Sequence, residues 1–265
     1  MSKRSPPAVV SSPLSGDGDR PRRESVNLSS STNNWLGTTD HGPLTTDVRV
    51  VLFDIDGTLI KTVRRGEYRG LIHAMLVEIF GTCGRINEVD FAGKTDLAIY
   101  REALECESFT IGQIRERLPL IEAATVEILS HLSSTGAVFQ LCPGVRELLE
   151  ALSADPRFLP SLLTGNVERL AEAKLRVAGI WHYFRGRGAF GSDDEQRDHL
   201  PAIAAERISA HLGHVLAPDR FIIVGDTPRD ISCARHFGAR VVAVASGMHR
   251  VDQLREFSPD ALLSD

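Results

Sequence analysis

The chain has 265 residues, 42% hydrophobic and 25% charged, with a formal net charge of −5. These values exclude collagen, a coiled coil and wholesale disorder. A mildly acidic chain without a basic footprint argues against nucleic acid as a partner.

Residues 1–47 differ from the rest of the chain: Ser, Pro, Thr, Gly, Asp and Asn fill 30 of these 47 positions. Such a segment buries too little apolar surface to offset its ordering entropy and is expected to be a disordered tail. The short run Asn33-Asn34-Trp35-Leu36 could dock a partner or the domain surface, with no role as the stronger expectation. The tail reads as lacking a signal-peptide core. No apolar run anywhere approaches the roughly 18 residues of a membrane span. The four cysteines, Cys83, Cys106, Cys142 and Cys233, form no CxxC pair and suggest buried reduced thiols rather than a zinc site. A cytoplasmic protein with no membrane partner, monomeric or homodimeric, is the expectation.

From Val48 the pattern changes. Val48–Phe53 reads as a buried strand closed by an Asp-Gly turn signal. Tyr68, Leu71, Ile72, Met75, Leu76, Ile79 and Phe80 recur at helical spacing, with Gly81 as terminator. Helical patterns continue through Asp96–Glu105, Ile111–Leu118 and Leu120–Leu132, and Pro143-Gly144 opens another helix. Strands and helices then alternate: strand Phe158–Leu163, helix Val167–Ala178, strand Phe221–Val224, helix Arg229–Phe237, strand Val241–Ala245 and a short helix near Val251–Phe257. Alternation of this kind implies a doubly wound parallel, Rossmann-like α/β sheet. The helical block after the first strand implies an inserted all-helical cap subdomain. The expected division is a core of 48–62 and 140–265 and a cap of 63–139.

In a doubly wound sheet, ligands bind at the carboxyl ends of the strands. The first strand is followed by Asp54-Ile55-Asp56-Gly57-Thr58-Leu59, the second by Thr164-Gly165-Asn166 and a later one by Gly225-Asp226-Thr227-Pro228-Arg229-Asp230. Clustered carboxylates repel unless a cation neutralises them, and such a cluster suits a hard divalent ion such as Mg²⁺. Thr164 and the amides of Gly165 and Asn166 offer uncharged donors for a phosphate opposite the metal. These are the parts of metal-assisted phosphoryl transfer.

In this order the three segments resemble the first, second and fourth motifs of the haloacid dehalogenase superfamily of phosphatases and phosphomutases, over roughly Val48 to Asp265. The resemblance implies that Asp54 is the nucleophile, forming an aspartyl-phosphate, and Asp56 the general acid/base. It implies that Thr164, with Gly165 and Asn166, binds the phosphoryl group. Asp54, the backbone carbonyl of Asp56 and Asp226 would hold Mg²⁺, with Asp230 as a further or water-mediated ligand. The third motif of the family is a Lys or Arg; Arg197 fits by position, with Lys174 as rival, although a lysine inside that helix is expected to be solvent-exposed. Gly93-Lys94-Thr95-Asp96 resembles the cap loop of phosphoglycolate phosphatase-like members, which would bring Lys94 to the substrate; an ordinary helix start with Thr95 as cap is the alternative. Arg64 and Arg65 could line the entrance, a solvated basic pair being the stronger expectation. The implied activity is hydrolysis of a small phosphate ester, phosphoglycolate being the leading candidate. A mutase of the β-phosphoglucomutase type and a non-catalytic binding protein are the alternatives. A true dehalogenase is disfavoured by the presence of Asp56.

Overall fold

A computed structural model describes residues 47–184 and 188–264 of the protein. The expected tail, including Trp35, lies outside the described residues except for Asp47, which pairs with Arg220. The described residues all belong to one unit, 41–265, and none of their helices is long and apolar enough to cross a membrane.

The main sheet has six parallel strands: β1 (Arg49–Phe53), β4 (Phe158–Leu163), β5 (Gly188–Ala189), β6 (Phe221–Gly225), β7 (Arg240–Val244) and β8 (Ala261–Leu263), in the order β5-β4-β1-β6-β7-β8. Renumbered in chain order this is 3-2-1-4-5-6, the doubly wound arrangement whose chain direction reverses between its first and fourth strands. β1 sits at that reversal, paired with β4 through Val51↔Pro160 and with β6 through Val51↔Ile222. Its side chains alternate between faces, as a strand requires. Val50 and Leu52 join one core with Leu200, Ala204, Ile208, Ile231 and Ala234, while Val51 and Phe53 join the other with Val145, Leu149, Ala171 and Leu175. A strand covered on both faces explains why its sequence is unbroken apolar. The covering helices are α7 (Leu200–Leu212) and α8 (Pro228–Phe237) on one face and α5 (Val145–Ala154) and α6 (Glu168–Val177) on the other, with α9 (Val251–Arg255) near the sheet edge.

Besides β5, two further strands went unforeseen. β2 (Ile60–Thr62) and β3 (Phe139–Leu141) form an antiparallel ribbon that leads out of the core and back. At three residues each, neither shows a readable alternation. Between them lie α1 (Arg65–Phe80), α2 (Asp96–Leu104), α3 (Ile111–Glu116) and α4 (Leu118–Ser134), which share a hydrophobic cluster built on Ile72, Leu76, Leu97, Leu104, Ile114 and Ile121. The α3–α4 break falls at Arg117, with Pro119 in the first turn of α4, where its missing N–H is harmless. A second cluster, with Leu129, Leu132, Val167 and Leu170, joins α4 to α6.

Candidate active site

The carboxyl ends of β1 and β6 meet at the reversal point and carry Asp54 and Asp226. Asp230 comes from the first turn of α8. One oxygen from each of these three aspartates lies within 4.8 Å of the others, and all three are buried. Asp230 is fixed by the α8 start, accepting from the Thr227 amide at 3.0 Å and the Thr227 hydroxyl at 2.7 Å. Asp226 accepts a bond from Thr58 Oγ1 at 3.3 Å.

Arg197, in a short turn ahead of α7, enters the same cluster. Its guanidinium lies 3.0 Å from Asp54 and also binds Asp230. Burial raises the carboxyl pKa of both Asp54 and Asp226, and the neighbouring aspartates raise them further; Arg197 only partly counters this. Three ionised carboxylates and one guanidinium leave a formal charge of −2 in a buried site. That is the charge a divalent cation cancels, and an all-oxygen donor set suits a hard one. The space beside Asp226 is kept clear by two glycines. A Cβ on Gly57 would stand 2.4 Å from Asp226 Oδ2 and one on Gly247 1.7 Å from it. The residues present therefore fit a hard divalent cation beside Asp54, Asp226 and Asp230.

Asp56 stands apart from this cluster. Gly57, at a φ of +91°, turns the chain immediately after it, and the Asp56 carboxylate points to α6. Its Oδ2 accepts from Lys174 Nζ at 2.6 Å and from Asn166 Nδ2 at 2.7 Å. Asn166 also donates to Thr164 Oγ1 at 2.9 Å, and its Oδ1 accepts from Lys174 at 2.6 Å. Lys174 is 4% exposed, which corrects the expectation of a solvated lysine. Leu170, Ala171, Lys174 and Leu175 form one buried stripe of α6, so the helical spacing already placed Lys174 on the inner face. Burial alone would lower its pKa, but the adjacent Asp56 carboxylate, Tyr68 and Asp96 together outweigh this and the net shift is upward. The two rivals for one basic position thus serve different carboxylates: Arg197 meets Asp54, Lys174 meets Asp56.

The 93–96 loop reaches this edge from the helical block. Thr95 caps α2 by accepting from the Ala98 amide at 3.1 Å, while its hydroxyl donates to the Glu195 carbonyl at 2.7 Å. The Asp96 amide donates to the Gly165 carbonyl at 2.7 Å, and its carboxylate accepts from the Val167 amide at 2.8 Å. Burial raises the Asp96 pKa to about 6, against the lowering effects of Lys174 and of this bond. Gly165 is needed for this approach, since a Cβ there would lie 2.0 Å from the Lys94 carbonyl oxygen. Gly165→Ala is therefore expected to cost about 1–3 kcal/mol, the usual range for overpacking, measured by denaturant unfolding.

A cavity of about 440 Å³ lies over these groups, well within the range of small-ligand sites. Asp54, Asp56, Asn166 and Arg197 line its floor, and Arg65, Tyr68, Arg69, Phe91, Lys94 and Tyr100 line the remainder. Lys94 is paired with Glu102. Arg69 packs on the Phe91 ring, 4.4 Å from its centre, and donates to the Ile86 carbonyl at 3.0 Å. Of the expected solvated pair, only Arg65 is exposed. Arg64 is committed instead to Glu67, the Leu132 carbonyl and Thr135. Sequence reasoning also missed the cavity faces of Tyr68 and Arg69, because both lie on the apolar stripe of α1 or its margin.

A family model described as haloacid dehalogenase-like hydrolase matches residues 51–235. The chain is 25% identical over 232 residues to the “Probable phosphatase IndB” of Dickeya dadantii, covering 81% of this chain and 88% of that one. It is 24% identical over 220 residues to phosphoglycolate phosphatase 1 of Pseudomonas aeruginosa, covering 82% of this chain and 76% of the relative. Among solved structures, a predicted phosphoglycolate phosphatase from Haemophilus somnus superposes with a TM-score of 0.56 at 20% identity, over 83% of this chain and 95% of the other.

Proposed function

The chain belongs to the haloacid dehalogenase-like hydrolase family, and from that premise we propose that it is a Mg²⁺-dependent phosphoric monoester hydrolase using Asp54 as nucleophile. The observation that carries the reading is the buried cluster of Asp54, Asp226 and Asp230 with one guanidinium, left at −2 at the reversal point of the sheet. Asp54, Asp226, Asp230 and the Asp56 backbone carbonyl would hold Mg²⁺, which neutralises charge on the nucleophile and the phosphoryl oxygens when bound.

In the proposed sequence Asp54 attacks phosphorus and the bond from phosphorus to the ester oxygen breaks. Asp56 gives that oxygen its proton, releasing the alcohol and leaving an aspartyl-phosphate. Water then attacks the same phosphorus, Asp56 takes its proton, and Asp54 is freed with inorganic phosphate as product. We assign Thr164, the backbone amides of Gly165 and Asn166, and Arg197 to the phosphoryl oxygens. Residues 63–139 serve as the cap that excludes water from the intermediate, with Lys94 facing the rest of the substrate.

The substrate is a small phosphate ester. Phosphoglycolate heads the candidates because one relative bears that name. The cavity, walled partly by Ile72, Phe91 and Ile99, also has room for an alcohol larger than glycolate. Asp56→Asn tests the proton-transfer role: kcat on an alkyl phosphate is expected to fall by roughly 10² to 10⁴, the usual contribution of a general acid/base. An unchanged kcat would remove Asp56 from the mechanism.

A further inference from the structure

We infer that Lys174 is a positioning residue that, together with Asn166, ties one oxygen of Asp56 and so turns the other toward the reacting ester. The inference rests on the role proposed above for Asp56. Its own evidence is geometric. Both short bonds to this carboxylate end on the same atom, Oδ2: one from Lys174 Nζ at 2.6 Å, one from Asn166 Nδ2 at 2.7 Å. Among the described residues Oδ1 has no hydrogen-bond partner, and Asp56 lines the cavity.

The two donors come from different elements, α6 and the loop after β4, and they are tied to each other through Lys174 Nζ and Asn166 Oδ1 at 2.6 Å. One donor would leave the carboxylate free to rotate about its last bond. Two donors converging on one oxygen fix both its direction and its plane. A surface lysine would be a poor tool for this, because its flexible stem carries much rotamer entropy. Lys174 is locked by burial, with its side chain 5% exposed and its ammonium 5.6 Å from the centre of the Tyr68 ring. Burying an ammonium is costly unless it is fully partnered, and an apolar residue would fill this inner stripe of α6 without that cost. The placement is therefore explained by what the ammonium holds.

A purely structural ion pair would look similar in a static structure, so the test uses leaving-group chemistry. An alkyl phosphate needs a proton on its departing oxygen; p-nitrophenyl phosphate releases a stabilised phenolate that does not. Lys174→Met is expected to lower kcat on an alkyl phosphate by about 10²-fold, the scale of misaligned acid catalysis, with KM little changed. In the pre-steady-state burst, the first release of p-nitrophenolate is expected to slow only a few-fold and that of the alkyl alcohol about 10²-fold, whereas hydrolysis of the aspartyl-phosphate, common to both esters and also served by Asp56, slows alike for both. In an Asp56→Asn background Lys174→Met should add no further loss on the alkyl ester, since residues acting through one another are not additive. Lys174→Gln keeps one donor without the charge. It is expected to restore part of the alkyl-ester rate, and it supplies the same comparison if the Met variant does not fold.

Equal slowing of the first leaving-group release from the two esters, no loss on either, or full additivity with Asp56→Asn would overturn the positioning role. A wild-type protein that hydrolyses neither ester in Mg²⁺ would instead overturn the premise, and the inference with it.

Discussion

Asp54→Asn is expected to abolish phosphate release, with a loss on the order of 10⁴-fold or more, while the protein stays folded. Nucleophile removal in enzymes whose groups act as a unit produces losses of this size. Folding should survive because the change is isosteric and acts on a strained charge balance. Asp54 sits buried beside Asp226 and Asp230 with one guanidinium between them. Removing its charge takes the cluster from −2 to −1, and the amide oxygen can still accept from Arg197. Turnover and melting temperature measured on the same preparation separate the two effects: activity disappears, while melting in EDTA holds or rises. Turnover at the wild-type rate would sink the nucleophile assignment.

The second large effect concerns the cation. Adding Mg²⁺ at a hundred-fold excess over its Kd should stabilise the fold by about 2.7 kcal/mol. For a domain of this size that corresponds to a rise in Tm of roughly 5–10 °C. Stability in EDTA should also depend on pH in a direction opposite to ordinary acid denaturation. The Asp54 and Asp226 carboxyl pKa values are raised in the folded state by burial and mutual repulsion. The folded chain therefore binds their protons more tightly than the unfolded chain. Their contribution is harmless below the ordinary carboxylate pKa, and stability is lost as pH rises from there toward neutrality. Melting in EDTA from about pH 5 to about pH 8 should show this decline, and Mg²⁺ should flatten it, since the bound cation replaces the protons. A curve in EDTA that rises over this interval, or that Mg²⁺ leaves unchanged, would contradict the account of the cluster.

Much of this site was legible because a doubly wound sheet sends the turns after its buried strands to one edge. Strands such as Val50-Val51-Leu52-Phe53 are marked by unbroken apolar runs, and the residues just past them, Asp54, Thr164 and Asp226, need only that topology to be brought together. Arg197 was legible by position alone; its contacts with Asp54 and Asp230 depend on a turn that no periodicity announces. The β2–β3 ribbon was not legible, since Ile60-Lys61-Thr62 and Phe139-Gln140-Leu141 are too short to show a period, and their pairing joins segments some 80 residues apart. β5, at two residues, and α7 were also passed over. Lys174 is the instructive case. Chemical habit placed a helical lysine in water, whereas its spacing from Leu170, Ala171 and Leu175 placed it in the interior. The spacing was right, because Asp56 and Asn166 supply partners that make burial of the charge tolerable. Which hydrogen bonds join the 93–96 loop to Gly165, Val167 and Glu195 lies beyond sequence reasoning, because each links residues about 70–100 positions apart.

The central claim is that this chain cleaves phosphate monoesters with a divalent cation. It is tested most directly by phosphate release from a panel of small phosphomonoesters, phosphoglycolate and bulkier sugar and aryl phosphates among them, incubated with the full chain in Mg²⁺ and in EDTA. The account predicts release in Mg²⁺ from at least one ester and none in EDTA. Release that is indifferent to EDTA, or no release from any ester by folded protein in Mg²⁺, would contradict it.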